Sequence, residues 1–124
     1  MAGVKRFEDL IAYQRSAELR DLIYDLTSSG PGLTDWRFRE QVRDSASSAP
    51  RNVAEGFGRY SAQDFRRFLT IARGSLAETQ DHLSHGLRQG YFRPADYDRA
   101  WALSCRALAA ISGLSRYLKG CKVR

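Results

Sequence analysis

Long apolar runs are missing from this chain. No stretch approaches the roughly 18 residues that crossing a bilayer demands, so no membrane span is expected. The opening MAGVKRFEDL carries a basic pair with no apolar segment behind it. That pattern lacks the features of a secretory leader, and the chain reads as cytoplasmic. Cysteine is scarce: only Cys105 and Cys121 occur, outside any CxxC or Cys/His spacing, and both read as reduced thiols. If one helix carries both, they stand roughly 24 Å apart, beyond disulfide reach. Strand-like alternation of useful length, low-complexity tracts and internal repeats are also lacking.

Acidic charge is in the minority. Lys and Arg number 20 against 14 Asp and Glu, giving a net charge of +6, and 17 of the cations are Arg. A basic surface suits an anionic partner, nucleic acid before membrane. The 124 residues suffice for a single domain spanning 1–124, and 43% hydrophobic with 27% charged residues is the balance of a globular protein.

Proline and glycine divide the chain into four segments, each with helical periodicity. The breaks fall at Gly30-Pro31-Gly32, at Gly56 and Gly58, at Gly90, and at Gly120. The first segment, about Phe7 to Ser29, shows two apolar stripes at ~100° per residue. One holds Leu10, Tyr13, Ala17 and Tyr24; the other holds Leu19, Leu22, Ile23 and Leu26. Docking onto a monomeric core needs one stripe, so Leu19, Leu22, Ile23 and Leu26 are the expected contact with a neighbouring subunit. Glu8 and Asp9 are expected in this helix's first turn, where acids complement the helix dipole.

The second segment, about Thr34 to Phe57, directs Phe38, Val42, Ser45, Ala46, Ala49, Val53 and Phe57 inward. Pro50 is expected to kink this helix without ending it, since the apolar phase continues beyond it. The third, Ala62 to Gln89, aligns Phe65, Phe68, Leu69, Ala72, Leu76, Thr79, Leu83 and Leu87. The fourth, Pro94 to Lys119, aligns Tyr97, Ala100, Trp101, Ser104, Leu108, Ile111 and Leu118, with Pro94 at the first helical position. Four similar helices with short connections predict an all-α, up-down-up-down antiparallel bundle.

The stretch RNVAEGFGRYSAQDF is the most patterned in the chain. GFGRYS departs from GxGxxG at Ser61, no strand precedes it, and no Walker lysine follows, which argues against a nucleotide loop. It reads as a structural corner built from Asn52, Glu55, Gly56, Gly58, Arg59, Ser61 and Asp64. Gly56 or Gly58 is expected to end a helix in the left-handed conformation. Ser61 caps the next helix with Asp64 three residues on, a capping box, and Glu55 pairs with Arg59 across one turn.

Three blocks carry a family resemblance: Phe7-Glu8-Asp9-Leu10, Ser48-Ala49-Pro50-Arg51-Asn52-Val53-Ala54-Glu55-Gly56-Phe57-Gly58-Arg59, and Arg67-Phe68-Leu69-Thr70-Ile71-Ala72-Arg73-Gly74-Ser75-Leu76-Ala77-Glu78. In this order they resemble the small four-helix-bundle proteins encoded in intervening sequences of bacterial 23S ribosomal RNA genes. The resemblance covers roughly residues 6 to 92. It implies a four-helix bundle and a ring-like homopentamer. It also implies kinship with the accessory protein of diversity-generating retroelements, which works with a reverse transcriptase and its RNA. It transfers no catalytic residue. Asn52, Glu55, Arg59, Arg73 and Ser75 read either as a buried or subunit-spanning polar network, favoured by Gly74-Ser75 in mid-helix, or as solvated surface pairs.

No arrangement of residues supports chemistry. His82 and His85 are three apart with Glu78 and Asp81 nearby, but a zinc site needs a third ligand that no spacing supplies. The Glu-x-x-His pairs of a di-iron bundle are absent. No catalytic residue, cofactor or metal is expected. Cations remain: residues 91–124 carry 7 basic and 2 acidic side chains, net +5, whereas residues 7–29 carry 2 and 5, net −3. Arg37, Arg39 and Arg43 on the second helix, with Arg116, Lys119, Lys122 and Arg124 at the end of the chain, are the candidate phosphate contacts. The alternative role for cations near a helix C-terminus is to balance its dipole. The expected function is a non-enzymatic homo-oligomer binding RNA or DNA. The alternative is a protein–protein scaffold docking a partner such as a nucleic-acid enzyme, without touching nucleic acid itself.

Overall fold

The computed structural model describes residues 3–121. Four helices make up the body: α1 (Ile11–Leu26), α2 (Trp36–Phe57), α3 (Ala62–Arg88) and α4 (Pro94–Lys119), with 3₁₀ turns at Phe7–Asp9 and Pro31–Thr34. No strand occurs among the described residues.

Pairs across the interfaces fix the directions. Ser45 meets Thr79, Ser48 meets Ser75, and Gly56 lies against Phe65, so α2 and α3 run antiparallel. Thr27 meets Arg43 and Tyr24 meets Ser47 across α1 and α2. Gln80 reaches Ser104 from α3 to α4. Leu10 and Ile11 share one groove with Leu114 and Tyr117, while Asp25 and Leu26 share another with Asp96 and Arg99, so α1 and α4 are antiparallel too. The helices follow one another around a closed circuit, as the segment lengths predict.

The inner faces of α2 and α3 match the sequence pattern closely, whereas on α4 Ala107 is sealed and the expected Tyr97, Trp101 and Leu108 are half-buried. Val42, Ala46, Ala49 and Val53 of α2, Phe65, Leu69, Ala72, Leu76 and Leu83 of α3, and Ala100, Ala107 and Ile111 of α4 are sealed from water. Small residues along α2 bring α3 close. A Cβ on Gly56 would stand 2.7 Å from a ring carbon of Phe65, and one on Gly86 2.5 Å from Phe92. Pro50 is buried within α2, which runs unbroken past it.

The first segment differs from expectation in two ways. Its helix begins at Ile11, because Leu10 is extended (φ −77°, ψ 129°) and drops its side chain into the core. Glu8 and Asp9 therefore belong to the preceding 3₁₀ turn, and the first turn of α1 has no acid. The expected subunit contact is also corrected. Leu19 and Ile23 are fully buried, Leu22 nearly so, and Leu26 packs against the same core. A helix in a four-membered circuit touches two neighbours, here α2 and α4, and the Leu19-Leu22-Ile23 stripe is spent on them, while Tyr24 of the other stripe stays 41% exposed.

The corner between α2 and α3 needs no left-handed residue. Gly58 caps α2 at φ −76°, and the positive-φ glycines among the described residues are Gly3, Gly30 and Gly90. Gly56 is required for a different reason, the close approach of Phe65. Ser61 caps α3 as expected, its Oγ accepting from Asp64 N at 3.0 Å. The Asp64 carboxylate turns to Arg67 at 2.9 Å and Arg59 at 3.8 Å, while Glu55 and Arg59 stand 3.6 Å apart at the surface.

Candidate nucleic-acid interface

The sequence places seven candidate cations in two groups, and the bundle sends those groups to opposite poles. Arg37, Arg39 and Arg43 open α2, whereas Arg116 and Lys119 close α4. About 33 Å separates the poles, given 22 residues of α2 at ~1.5 Å each. Lys122 and Arg124 lie outside the described residues.

The α2 group does not form one patch. Residues two apart on a helix point to different sides, so Arg37 is exposed while Arg39 turns in and is half-buried, its Nε without a hydrogen-bond partner. Arg43 is occupied within the chain. Its Nε donates to Thr27 Oγ1 at 2.8 Å, its Nη2 reaches the Tyr24 carbonyl at 3.3 Å, and its guanidinium lies 4.5 Å from the Tyr24 ring centroid. A cation on the carbonyls ending α1 satisfies groups the helix leaves open. Arg43 is thus a tie between α1 and α2.

The other pole gathers more charge than the sequence groups suggest. Arg116 and Lys119 are exposed in the last turn of α4. The antiparallel course sets the N-terminal segment beside them, with Val4 and Tyr117 lining one groove, and this brings exposed Lys5 and Arg6 to the same pole. The α2–α3 corner adds Arg59, Arg66 and Arg67. Arg59 and Arg67 are stacked on Phe68, at 4.5 and 4.7 Å from its centroid, and both lie within 4 Å of Asp64. Lys5, Arg6, Arg66 and Arg67 escape a reading by sequence runs. The signal that finds them is topology: in an up-down bundle, the start of the first helix lies beside the end of the fourth.

Polar residues between α2 and α3 form a short ladder. Asn52 Nδ2 donates to the Ser48 carbonyl at 2.8 Å, Ser48 Oγ lies 2.7 Å from Ser75 Oγ, and Thr79 Oγ1 donates to Ser45 Oγ at 2.9 Å. Asn52 and Ser75 of the anticipated network belong to it. Glu55 and Arg59 are a surface pair, and Arg73 is exposed. Gly74 has no neighbour within 4 Å, so nothing inside the chain explains a glycine there.

The histidines lie apart from this pole. His82 Nε2 stands 3.4 Å from Glu78, and both His82 and His85 pack by Phe38. Among the described residues, no group of three or more His, Cys, Asp or Glu is arranged to hold a metal ion. The perturbed carboxyls serve structure. The Tyr91 hydroxyl donates to Asp35 at 2.7 Å, and Asp35 also accepts from Phe38 N, which together hold its carboxyl below the usual range. Arg93 does the same for Asp96. No described helix is long and apolar enough to cross a membrane.

Fold and surface together define an all-α four-helix protein with a cation-rich pole. Its family follows from the match of the 23S rRNA-intervening sequence protein profile to residues 8–113: the chain belongs to that family. Among solved structures, it is similar to a protein of unknown function from the S23 ribosomal protein family of Bacteroides thetaiotaomicron. That structure is 20% identical, with a TM-score of 0.77, and the match covers 86% of this chain and 99% of that one. No curated protein matches significantly.

Proposed function

We propose that this protein is a non-enzymatic, cytoplasmic homo-oligomer that binds RNA or DNA through phosphate contacts at its cation-rich pole. The observation that carries the reading is the convergence there of exposed cations from separate parts of the chain: Lys5 and Arg6, then Arg116 and Lys119. Such a surface recognises the regular charge of a nucleic-acid backbone without reading bases. Repetition in an oligomer, pentameric if this chain assembles as the resemblance implies, turns a weak contact into a useful one by avidity.

The test is titration of a fluorescent oligonucleotide at increasing salt. Binding that weakens steeply and linearly in log salt supports the mechanism. No binding at low salt rejects the function, and salt-insensitive binding rejects phosphate contacts as its basis.

A further inference from the structure

Two exposed phenol rings stand at the cation-rich pole. Tyr60, on the corner between α2 and α3, is 92% exposed, and Tyr117, in the last turn of α4, is 51% exposed. The corner's other rings are used inside the chain. Phe57 meets Phe65 edge-on at 6.3 Å between centroids, and Phe68 carries the Arg59 and Arg67 guanidiniums. Tyr60 is left in water. A ring there adds nothing to the core, and a turn ordinarily takes Gly, Asn, Asp, Ser or Pro.

Cations outside any ion pair accompany both rings. Arg116 and Lys119 flank Tyr117 in the chain, and Lys5 and Arg6 reach the same pole beside Val4. Next to Tyr60, a polar hollow of about 470 Å³ is lined by Ser61, Gln63, Arg66 and Thr70 with the Asp64–Arg67 pair, and the Arg66 Nε is sealed from water without a hydrogen-bond partner. Among the described residues, Lys5, Arg6, Arg66, Arg116 and Lys119 have no carboxylate within 4 Å, while the acids at this pole outside ion pairs are Glu8 and Asp9. Trp36 is 63% exposed at the far pole, but there Arg39 faces Glu40, and Arg93 and Arg99 face Asp96.

We propose that this pole takes unpaired nucleic acid, with bases stacked on Tyr60 and Tyr117 and phosphates held by the cations around them. The inference rests on the phosphate-binding reading above and names the class of nucleic acid that the pole prefers. A duplex keeps its base faces inside the stack, beyond the reach of a ring on a protein surface, whereas a single strand offers them. Stacking tolerates any sequence because every base has a π-face, which suits a surface that does not read base edges. Tyr60 belongs to the α2–α3 side and Tyr117 to the α1–α4 side, so a strand that meets both crosses the end of the bundle.

Fluorescence anisotropy at low salt, with a labelled single-stranded oligonucleotide and the duplex of the same sequence, tests it. The wild type should bind the single strand at least about threefold tighter, although the duplex has the denser charge. Tyr60→Ala and Tyr117→Ala, their folding verified by circular dichroism, should each weaken single-strand binding at least about fivefold. Duplex binding and the salt slope, which counts phosphates, should not change. Tyr60→Phe keeps the ring and should bind as the wild type does, as should Trp36→Ala at the far pole. A wild type that binds the duplex as tightly as the single strand, an alanine variant of either tyrosine with unchanged single-strand affinity, or an equal loss in Trp36→Ala overturns the stacking inference, while steep salt dependence would still uphold the phosphate contacts. Failure to bind either probe at low salt overturns both.

Discussion

Thr79 on α3 donates its hydroxyl proton to Ser45 on α2 across 2.9 Å, and the Ser45 hydroxyl in turn donates to the Val42 carbonyl at 3.1 Å. Both side chains are buried, at 0% and 3% exposure. Thr79→Val keeps the shape and removes the hydroxyl, which also reaches the Ser75 carbonyl at 2.9 Å, while Ser45 keeps its bond to Val42. The expected loss is about 0.5–1.5 kcal/mol in urea unfolding. A double-mutant cycle with Ser45→Ala should return a coupling of about 0.5–1.5 kcal/mol. Additive losses would show that the two hydroxyls act independently.

Glycines that look alike in sequence should respond differently. Gly56→Ala and Gly86→Ala force a methyl into Phe65 and Phe92, and each should cost about 1–3 kcal/mol through overpacking. Gly58→Ala meets only a backbone oxygen at 3.5 Å in an ordinary helical conformation, and its effect should stay within about 0.5 kcal/mol. Chemical denaturation of Gly56→Ala and Gly58→Ala separates close approach from chain reversal as the reason for glycine at the α2–α3 corner, and Gly86→Ala repeats the close-approach test at the far end of α3.

Acid should loosen the pole around Asp35. Hydrogen bonds from Tyr91 and from Phe38 N lower its folded pKa, so its stabilisation is complete above the unfolded value of about 3.9 and disappears as pH falls through the lower folded value. Tyr91 has the opposite sign. Its phenol is raised by the same contact, so that stabilisation is complete below about pH 10 and is lost as pH climbs through the higher folded value. Tyr91→Phe should therefore flatten the pH dependence of Tm at both extremes. Unchanged acid and alkaline limbs would remove this pair as the source.

Two arginines predicted alike from sequence should separate cleanly. Arg43→Ala loses its bond to Thr27 and its stacking on Tyr24, and should destabilise by about 1–2 kcal/mol. Arg116→Ala should leave the melting temperature nearly unchanged while weakening oligonucleotide binding and reducing the salt slope by about one. Melting curves and titrations on the same two proteins decide the assignment.

Periodicity made the inner faces legible. Phe38, Val42, Leu69, Leu83 and Ile111 are where 3.6-residue spacing places them, because burial in a bundle is set by angle around the helix. The break at Leu10 was not legible, since nothing in local composition distinguishes a leucine that continues a helix from one that stops it by turning inward. The stripe Leu19-Leu22-Ile23 was legible as apolar but not by partner: a second apolar side means a second neighbour, and sequence does not say whether that neighbour belongs to the same chain. The Arg37-Arg39-Arg43 group does not form one patch, for a related reason. Closeness along a helix is not closeness in direction, and one member was already engaged with the end of α1.

The shared pole of the N-terminal turn and the end of α4 has a practical consequence. An affinity tag or fluorescent fusion at either end of this chain would crowd the cations and the groove together, so that a silent binding assay could reflect the label. An exposed side chain at the far pole, such as Ser29 after α1, is the safer point of attachment.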